Sequence, residues 1–308
     1  MRSKRVKAAL GMWMALLLMM GGCLAGAFAE EAGAAEEAAP AEAFDPLPLE
    51  GAAPYPPVDS ALSADGYAYD DGTLSVRVVP DMAHDTKIYY VYVKITDASQ
   101  LRTATAGAPK SQVQAKATSM ALRNNAVLAI NGDFYCGHTS GIVYRQGQLV
   151  RHVPAYTRDG LILDENGDLH ILPAVSAKDI EAFQAEHEIR DAFCFGPGLI
   201  IDGERAVFNY RDKTSCGYPT RAQRMIFCQT GPLEYLFFAT EGPEQDQPGL
   251  TVPECVELLE ALGTVKQAYN LDGGNSTSIV LGGEKLNAQG YKIRDIGDII
   301  YFATLVKP

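Results

Sequence analysis

The 308-residue sequence has no Cys-x-x-Cys pair, which excludes the usual structural zinc knuckle. No His-Glu-x-x-His occurs, so a zinc-protease helix is absent. No Gly-x-x-x-x-Gly-Lys-Ser/Thr occurs either, which removes the phosphate-binding loop of nucleotide enzymes. Gly-x-Ser-x-Gly is missing; the nearest segment reads Gly274-Asn275-Ser276-Thr277-Ser278 and disfavours a serine-hydrolase elbow. Histidine is sparse at five residues, and only His138 follows a segment of functional interest. Beyond residues 8–20 no apolar run is long enough to cross a bilayer. Positive charge is short as well: 26 Lys and Arg against 38 Asp and Glu give a net charge of -12. Residues 1–29 hold four basic and no acidic residues, so the chain without them carries -16. Such a balance excludes nucleic acid and anionic membrane as natural partners, and any phosphate must be held by a local basic site.

The N-terminus reads as a targeting segment. Arg2, Lys4, Arg5 and Lys7 precede the apolar run, and Ala27-Phe28-Ala29 suits a cleavage site, so residues 1–29 are expected to be a secretory signal. The protein is then secreted or attached to the cell envelope. Met20-Gly21-Gly22-Cys23 is an imperfect lipobox-like sequence, and lipid attachment at Cys23 is the alternative; it is the one membrane contact expected. Residues 30–58 are rich in Ala, Glu and Pro and are expected to be a disordered spacer. Residues 59–308 then form one large domain with ample length for a core. Five cysteines remain in it or before it: Cys136, Cys194, Cys216, Cys228 and Cys255. The odd count leaves at least one unpaired, and a Cys136–Cys216 bridge is one pairing open to the chain.

Strands and helices alternate along this domain. Residues 73–79 and 87–95 alternate apolar and polar as strands do, and residues 111–125 read as a helix capped by Ser111. Hairpins are expected around Gln146-Gly147 and Asn166-Gly167. Ser176 with Asp179, and Thr251 with Glu254, make two capping boxes that open further helices. Helix, strand and glycine corner recur three times, at 111–133, 176–198 and 251–274. Strands outnumber helices, which predicts an α+β fold of mixed β-sheets with a few packed helices.

Two of the corners share one pattern. The apolar run 126–130 ends in Asn131-Gly132-Asp133, and the run 267–269 ends in Asn270-Leu271-Asp272-Gly273-Gly274. Asn, Asp and Gly also make ordinary turns. Two such corners in the same context, however, place two carboxylates and two amides at strand ends. Paired carboxylates are what glycoside hydrolysis commonly uses. Gly273 and Gly274 allow close approach or positive φ, their amides suit an anion, and Ser276 and Thr277 add hydroxyls. Arg221 and Arg224 are the favoured basic candidates for phosphate, ahead of Arg145, Arg151 and Arg294. Phe134 and Tyr135 offer a face for sugar stacking.

These segments resemble the phosphodiester glycosidase family over roughly residues 80–308. The resemblance rests on Asn131-Gly132-Asp133-Phe134-Tyr135, on residues 141–151 and on Phe195-Gly196-Pro197. It continues through the Arg221 to Arg224 segment and is most specific at Asn270-Leu271-Asp272-Gly273-Gly274-x-Ser276-Thr277. The chain departs from the family where Asn275 stands in place of a frequent third glycine. The resemblance implies an exported hydrolase that cleaves a sugar 1-phosphodiester, such as an N-acetylglucosamine-1-phospho-linked glycan, at the anomeric carbon. It needs no cofactor and no metal. Asp133 and Asp272 would be catalytic, with Asn131, Gly132, Asn270, Arg221, Arg224, Gly273, Gly274, Ser276 and Thr277 binding the substrate. The alternatives are a non-catalytic surface polysaccharide-binding or exopolysaccharide assembly protein, and metal-assisted cleavage on the phosphorus side.

Overall fold

Side-chain alternation decides which face of each strand is buried. In Thr86–Ile95, Tyr89, Val91 and Val93 point to one core, and Ile88 and Tyr90 to another. The same split recurs in Leu128–Asn131, where Leu128 and Ile130 face inward and Ala129 outward. In Gly160–Asp164, Leu161 and Leu163 face inward and Ile162 outward. The computed structural model describes residues 44–48, 53–153, 158–207, 219–292 and 294–308. Cys23, Cys216 and the segment read as a signal lie outside them.

Three sheets result, and all their strand pairs are antiparallel. The largest has eight strands, with Thr86–Ile95, Glu234–Thr240, Met225–Gly231 and Gln267–Asn270 in succession at its centre and Gly198–Ile201 next, toward one edge. A five-stranded sheet holds Gly141–Arg145, Ile189–Phe193 and Gly160–Asp164. A second five-stranded sheet holds Leu128–Asn131 between Ile279–Leu281 and Asp298–Phe302. The inner faces of all three meet in one core, from Val91 and Phe237 to Phe193, Ile130 and Phe302.

Each outer face is covered by one helix. α1 (Ala117–Arg123) lays Ala117, Met120 and Ala121 on Ala129, Val280 and Ile299. α2 (Ala177–Gln184) places Ile180 against Ile162 and Ala192. α3 (Val252–Ala261) packs Val252, Cys255, Val256 and Leu259 on Ile226, Leu236 and Phe238. Both expected capping boxes form: Ser176 and Asp179 bond reciprocally, as do Thr251 and Glu254. The architecture is α+β, as the sequence pattern predicts.

Several expectations shift. The helix expected over 111–125 begins only at Ala117, because Ala115 pairs its backbone with Ile296 at 3.0 and 2.9 Å. Ser111 therefore caps nothing, and Val113, expected on the apolar face, is half exposed. Part of the stretch read as spacer packs on the domain. Leu47 is buried and donates its N–H to Ser99 Oγ, and Asn125 Nδ2 donates to the Pro54 carbonyl. Cys136, Cys194, Cys228 and Cys255 are buried free thiols.

Candidate active site

The two Asn-x-Asp corners end strands of different sheets, Leu128–Asn131 and Gln267–Asn270. Side-chain to backbone bonds bring them together with the third glycine corner in a closed ring. Asn131 Nδ2 donates to the Asp272 carbonyl at 2.7 Å. Asn270 Nδ2 donates to the Gly196 carbonyl at 2.8 Å. Cys194 N–H donates to Asp133 Oδ2 at 2.8 Å. Each polar residue ending one strand thus fixes the start of another corner. Asn131, Asp133 and Asn270 are each about 1% exposed, so these bonds are made in the interior, where an unmade one is costly.

Beneath the ring lies a buried charge knot. Arg145 Nη2 is 2.6 Å from both Asp133 Oδ1 and Asp298 Oδ2, and its Nε reaches Asp298 at 3.0 Å. Its Nη1 donates to the Tyr144 and Ala192 carbonyls. The guanidinium lies over the Phe193 ring, 4.4 Å from its centroid. Burial opposes the Arg145 charge, but Asp133, Asp298 and Asp191 outweigh it and push its pKa up. One cation cannot neutralise two carboxylates, so burial, with the Asp133 and Asp272 charges, raises the Asp298 carboxyl against the pull of Arg145. Gly132 is glycine for a steric reason, since a Cβ there would fall 2.3 Å from the Asp298 carboxyl.

Asp272 differs from Asp133. Both Asp133 oxygens are committed, one to Arg145 and one to Cys194 N–H. Asp272 is only partly buried. Burial pushes its pKa up to about 6, with Asp133 adding to the rise, while Ser276 and Arg294 oppose it. The Ser276 hydroxyl acts on this carboxyl without a hydrogen bond of ordinary geometry. Gly274 has φ of 58°, and a Cβ at Gly273 would meet the Gln223 carbonyl at 2.5 Å. Gly273 therefore serves close backbone packing, and Gly274 supplies the left-handed turn.

Rings and cations gather around Phe134 and His138. Phe134, held at φ 58°, meets His138 edge to face at 5.7 Å, and His138 lies 5.9 Å from Phe195. Arg294, exposed, stacks over Phe134 at 4.7 Å. Arg158 Nη1 donates to His138 Nε2 at 3.1 Å. Arginine only donates, so that nitrogen accepts, and burial with Arg158 and Arg151 holds the His138 pKa down. Arg151 Nη1 pins the Tyr135 and His138 carbonyls, while its Nε and Nη2 are buried without a hydrogen bond. Asn270 Oδ1, Tyr135 Oη, Ser276 Oγ and Thr277 Oγ1 are likewise buried and make none. This concentration of unmatched polar atoms is what a binding site for a polar ligand requires.

The side chains of Arg221 and Arg224 are engaged by other groups of the protein, while the Arg224 backbone packs against the Gly273 corner. Arg221 donates to the Gly249 carbonyl at 2.7 Å and to Glu254 on α3. Arg224 is buried, and its side chain donates to the Leu250 and Thr220 carbonyls. The sequence pattern ranks Arg145, Arg151 and Arg294 below them, carries Phe195 only as part of a matching segment, and does not single out Arg158 or Asp298. Asp298 carried a legible signal: a carboxylate opening an otherwise apolar strand, next to Gly297.

The chain is a member of the phosphodiester glycosidase family, whose model matches residues 124–303, more than half of the chain. Its fold is similar to that of the zebrafish N-acetylglucosamine-1-phosphodiester alpha-N-acetylglucosaminidase catalytic domain, which was solved auto-inhibited by its pro-peptide. That match has a TM-score of 0.61 and 17% identity over 75% of this chain and 83% of that one. A hypothetical protein from Synechocystis matches with a TM-score of 0.55 and 16% identity over 74% of this chain and 62% of that one. No curated protein matches by sequence.

Proposed function

We propose that this protein hydrolyses a sugar 1-phosphodiester at the anomeric carbon, outside the cytoplasm. The observation that carries the reading is the partly buried Asp272 carboxyl, its pKa pushed up to about 6, which feels the charge of Arg294; that guanidinium stacks over Phe134, and Phe134 joins His138, Phe195 and Arg158 in one group of rings and cations. Rings suit the apolar face of a sugar, and arginines suit a phosphodiester anion. The basic and apolar N-terminal segment supports export.

In the proposed reaction, water attacks the anomeric carbon and gives its proton to Asp272. The bond from that carbon to the phosphate oxygen breaks, and its electron pair leaves with the phosphomonoester. Phosphate is a good leaving group and asks for little protonation. The larger demand is to stabilise positive charge on the sugar, and the Asp133 and ionised Asp272 carboxylates supply negative potential. Asp133 acts as a positioning residue: locked by Arg145 and Cys194, it sets the field at Asp272 and ties the corners. Arg158 and Arg294 take the phosphate role, in place of Arg221 and Arg224.

The test is incubation of the protein with a sugar 1-phosphodiester such as N-acetylglucosamine-1-phosphomethyl ester, with and without chelator, and identification of the products. Free reducing sugar with a phosphomonoester, unaffected by chelator, is expected. Sugar 1-phosphate would show cleavage on the phosphorus side, and unchanged substrate would leave a binding protein.

A further inference from the structure

At the end of the five-stranded sheet of Gly160–Asp164 remote from Cys194, four side chains of metal-ligating type converge. Asp164 ends the strand Gly160–Asp164, His170 lies on Leu169–Leu172, and His187 follows α2. The pairing of Ile189 with Asp164 at one end and Phe193 with Leu161 at the other separates this cluster from the catalytic corner. Asp164 Oδ2 is 3.0 Å from His170 Nε2 and 3.7 Å from His187 Nδ1, and Glu165 Oε1 is 3.8 Å from His187 Nδ1. Donor atoms of a tetrahedral zinc ion with bonds of about 2.0–2.1 Å stand about 3.4 Å apart. The two His187 separations lie within about 0.4 Å of that value, while the shorter Asp164–His170 contact is a hydrogen bond that orients the carboxylate.

The donors are also held as ligands usually are, by their other atoms. Asp164 Oδ1 accepts Asn166 N–H at 2.9 Å and Asp168 N–H at 2.8 Å, which leaves Oδ2 facing the imidazoles. Glu165 Oε2 accepts Glu188 N–H at 2.8 Å, which leaves Oε1 toward His187. His187 Nδ1 is buried and makes no hydrogen bond. Phe183 packs at 4.9 Å against both imidazole rings and fixes their planes. His170, His187 and Glu165 are each about one-third exposed, so an ion can enter.

We propose that Asp164, Glu165 and His187, with His170 on the same Asp164 oxygen, bind a late first-row divalent cation of the zinc type. Imidazole with carboxylate selects such ions over magnesium and calcium, which take oxygen alone. The ion would tie the end of α2 to the hairpin of Gly160–Asp164 and Leu169–Leu172 and stabilise the native chain by mass action. It takes no part in hydrolysis.

Isothermal calorimetry of the chelator-treated full chain with zinc chloride tests this. One zinc per chain is expected, together with a zinc-dependent rise in melting temperature. His187→Ala and the more conservative Glu165→Gln should each weaken binding at least ~10-fold, with the zinc-free melting temperature of Glu165→Gln unchanged. No zinc binding by the wild-type chain would overturn the site. So would binding undiminished in Glu165→Gln and His187→Ala, or a response to magnesium equal to that with zinc.

Discussion

Asn131 donates its side-chain amide to the backbone carbonyl of Asp272 at 2.7 Å, while its Oδ1 accepts Ser278 N–H at 3.0 Å. One amide thus spans the ends of two strands from different sheets. Because both its functions are used, it cannot rotate without losing a buried bond.

Asn131→Ala should therefore act on both stability and turnover. It strands the Ser278 N–H and frees the Asp272 corner, which should cost about 1–3 kcal/mol in chemical denaturation. Turnover should fall at least ~10-fold, because misplacement of a reacting group by even 1 Å is costly. Wild-type turnover in this variant would show that the corners hold their places without the amide.

Arg145 has a larger structural duty. Arg145→Met leaves Asp133 and Asp298 buried without their cation, a loss expected to cost about 3–5 kcal/mol and to show as a lowered denaturant midpoint. Arg145→Lys should fall between the two, since an ammonium keeps the charge but cannot reach Asp298, Asp133, Tyr144 and Ala192 together.

The glycines of the two corners should respond oppositely to alanine. At Gly132 the added methyl would lie 2.3 Å from the Asp298 carboxyl, so Gly132→Ala should break the Arg145–Asp298 pair and yield little folded protein. At Gly274 the surroundings are open to 4.0 Å and only the positive φ is at issue. Gly274→Ala should fold, at a cost of about 1 kcal/mol measured by thermal melting. Equal behaviour of the two variants would contradict the steric reading of Gly132.

What could be read before folding was local chemistry. The capping boxes at Ser176 and Thr251 were legible because their bonds lie within four residues, and the Asn-x-Asp corners because an apolar run stops at a polar pair. Two things were not legible. Arg145 sits in Gly141–Arg145, which reads as a half-exposed hairpin strand; only tertiary packing against Phe193 and Asp298 buries it. Conversely, Arg221 and Arg224 looked poised for phosphate because they are basic in an acidic chain. The carbonyls of Gly249, Leu250 and Thr220 that claim them come from segments whose approach no local pattern encodes. The helix expected over 111–125 is shortened for the same reason, since Ala115 finds a strand-like partner in Ile296.

Asp272 gives the most direct test of the mechanism, because its protonation enters both rate and stability. As a general base it must be ionised, so kcat/KM should rise with pH and level off above about 6. Its stability effect runs the other way. The folded pKa lies above the unfolded value of 3.8, so between about pH 4 and about 6 the folded chain binds more protons than the unfolded one. The contribution of this group therefore falls as pH rises through that window and stays low at neutral pH. Asp272→Asn removes both effects. Turnover should drop by about 100- to 10,000-fold, and the acidic limb of any residual rate should vanish. Stability at pH 7 should increase by about 1–2 kcal/mol, since a half-buried charge is replaced by a neutral amide of the same shape. A variant that is inactive but also less stable at pH 7 would mean that Asp272 holds the fold together, and the base would have to be sought elsewhere among the carboxylates of the knot.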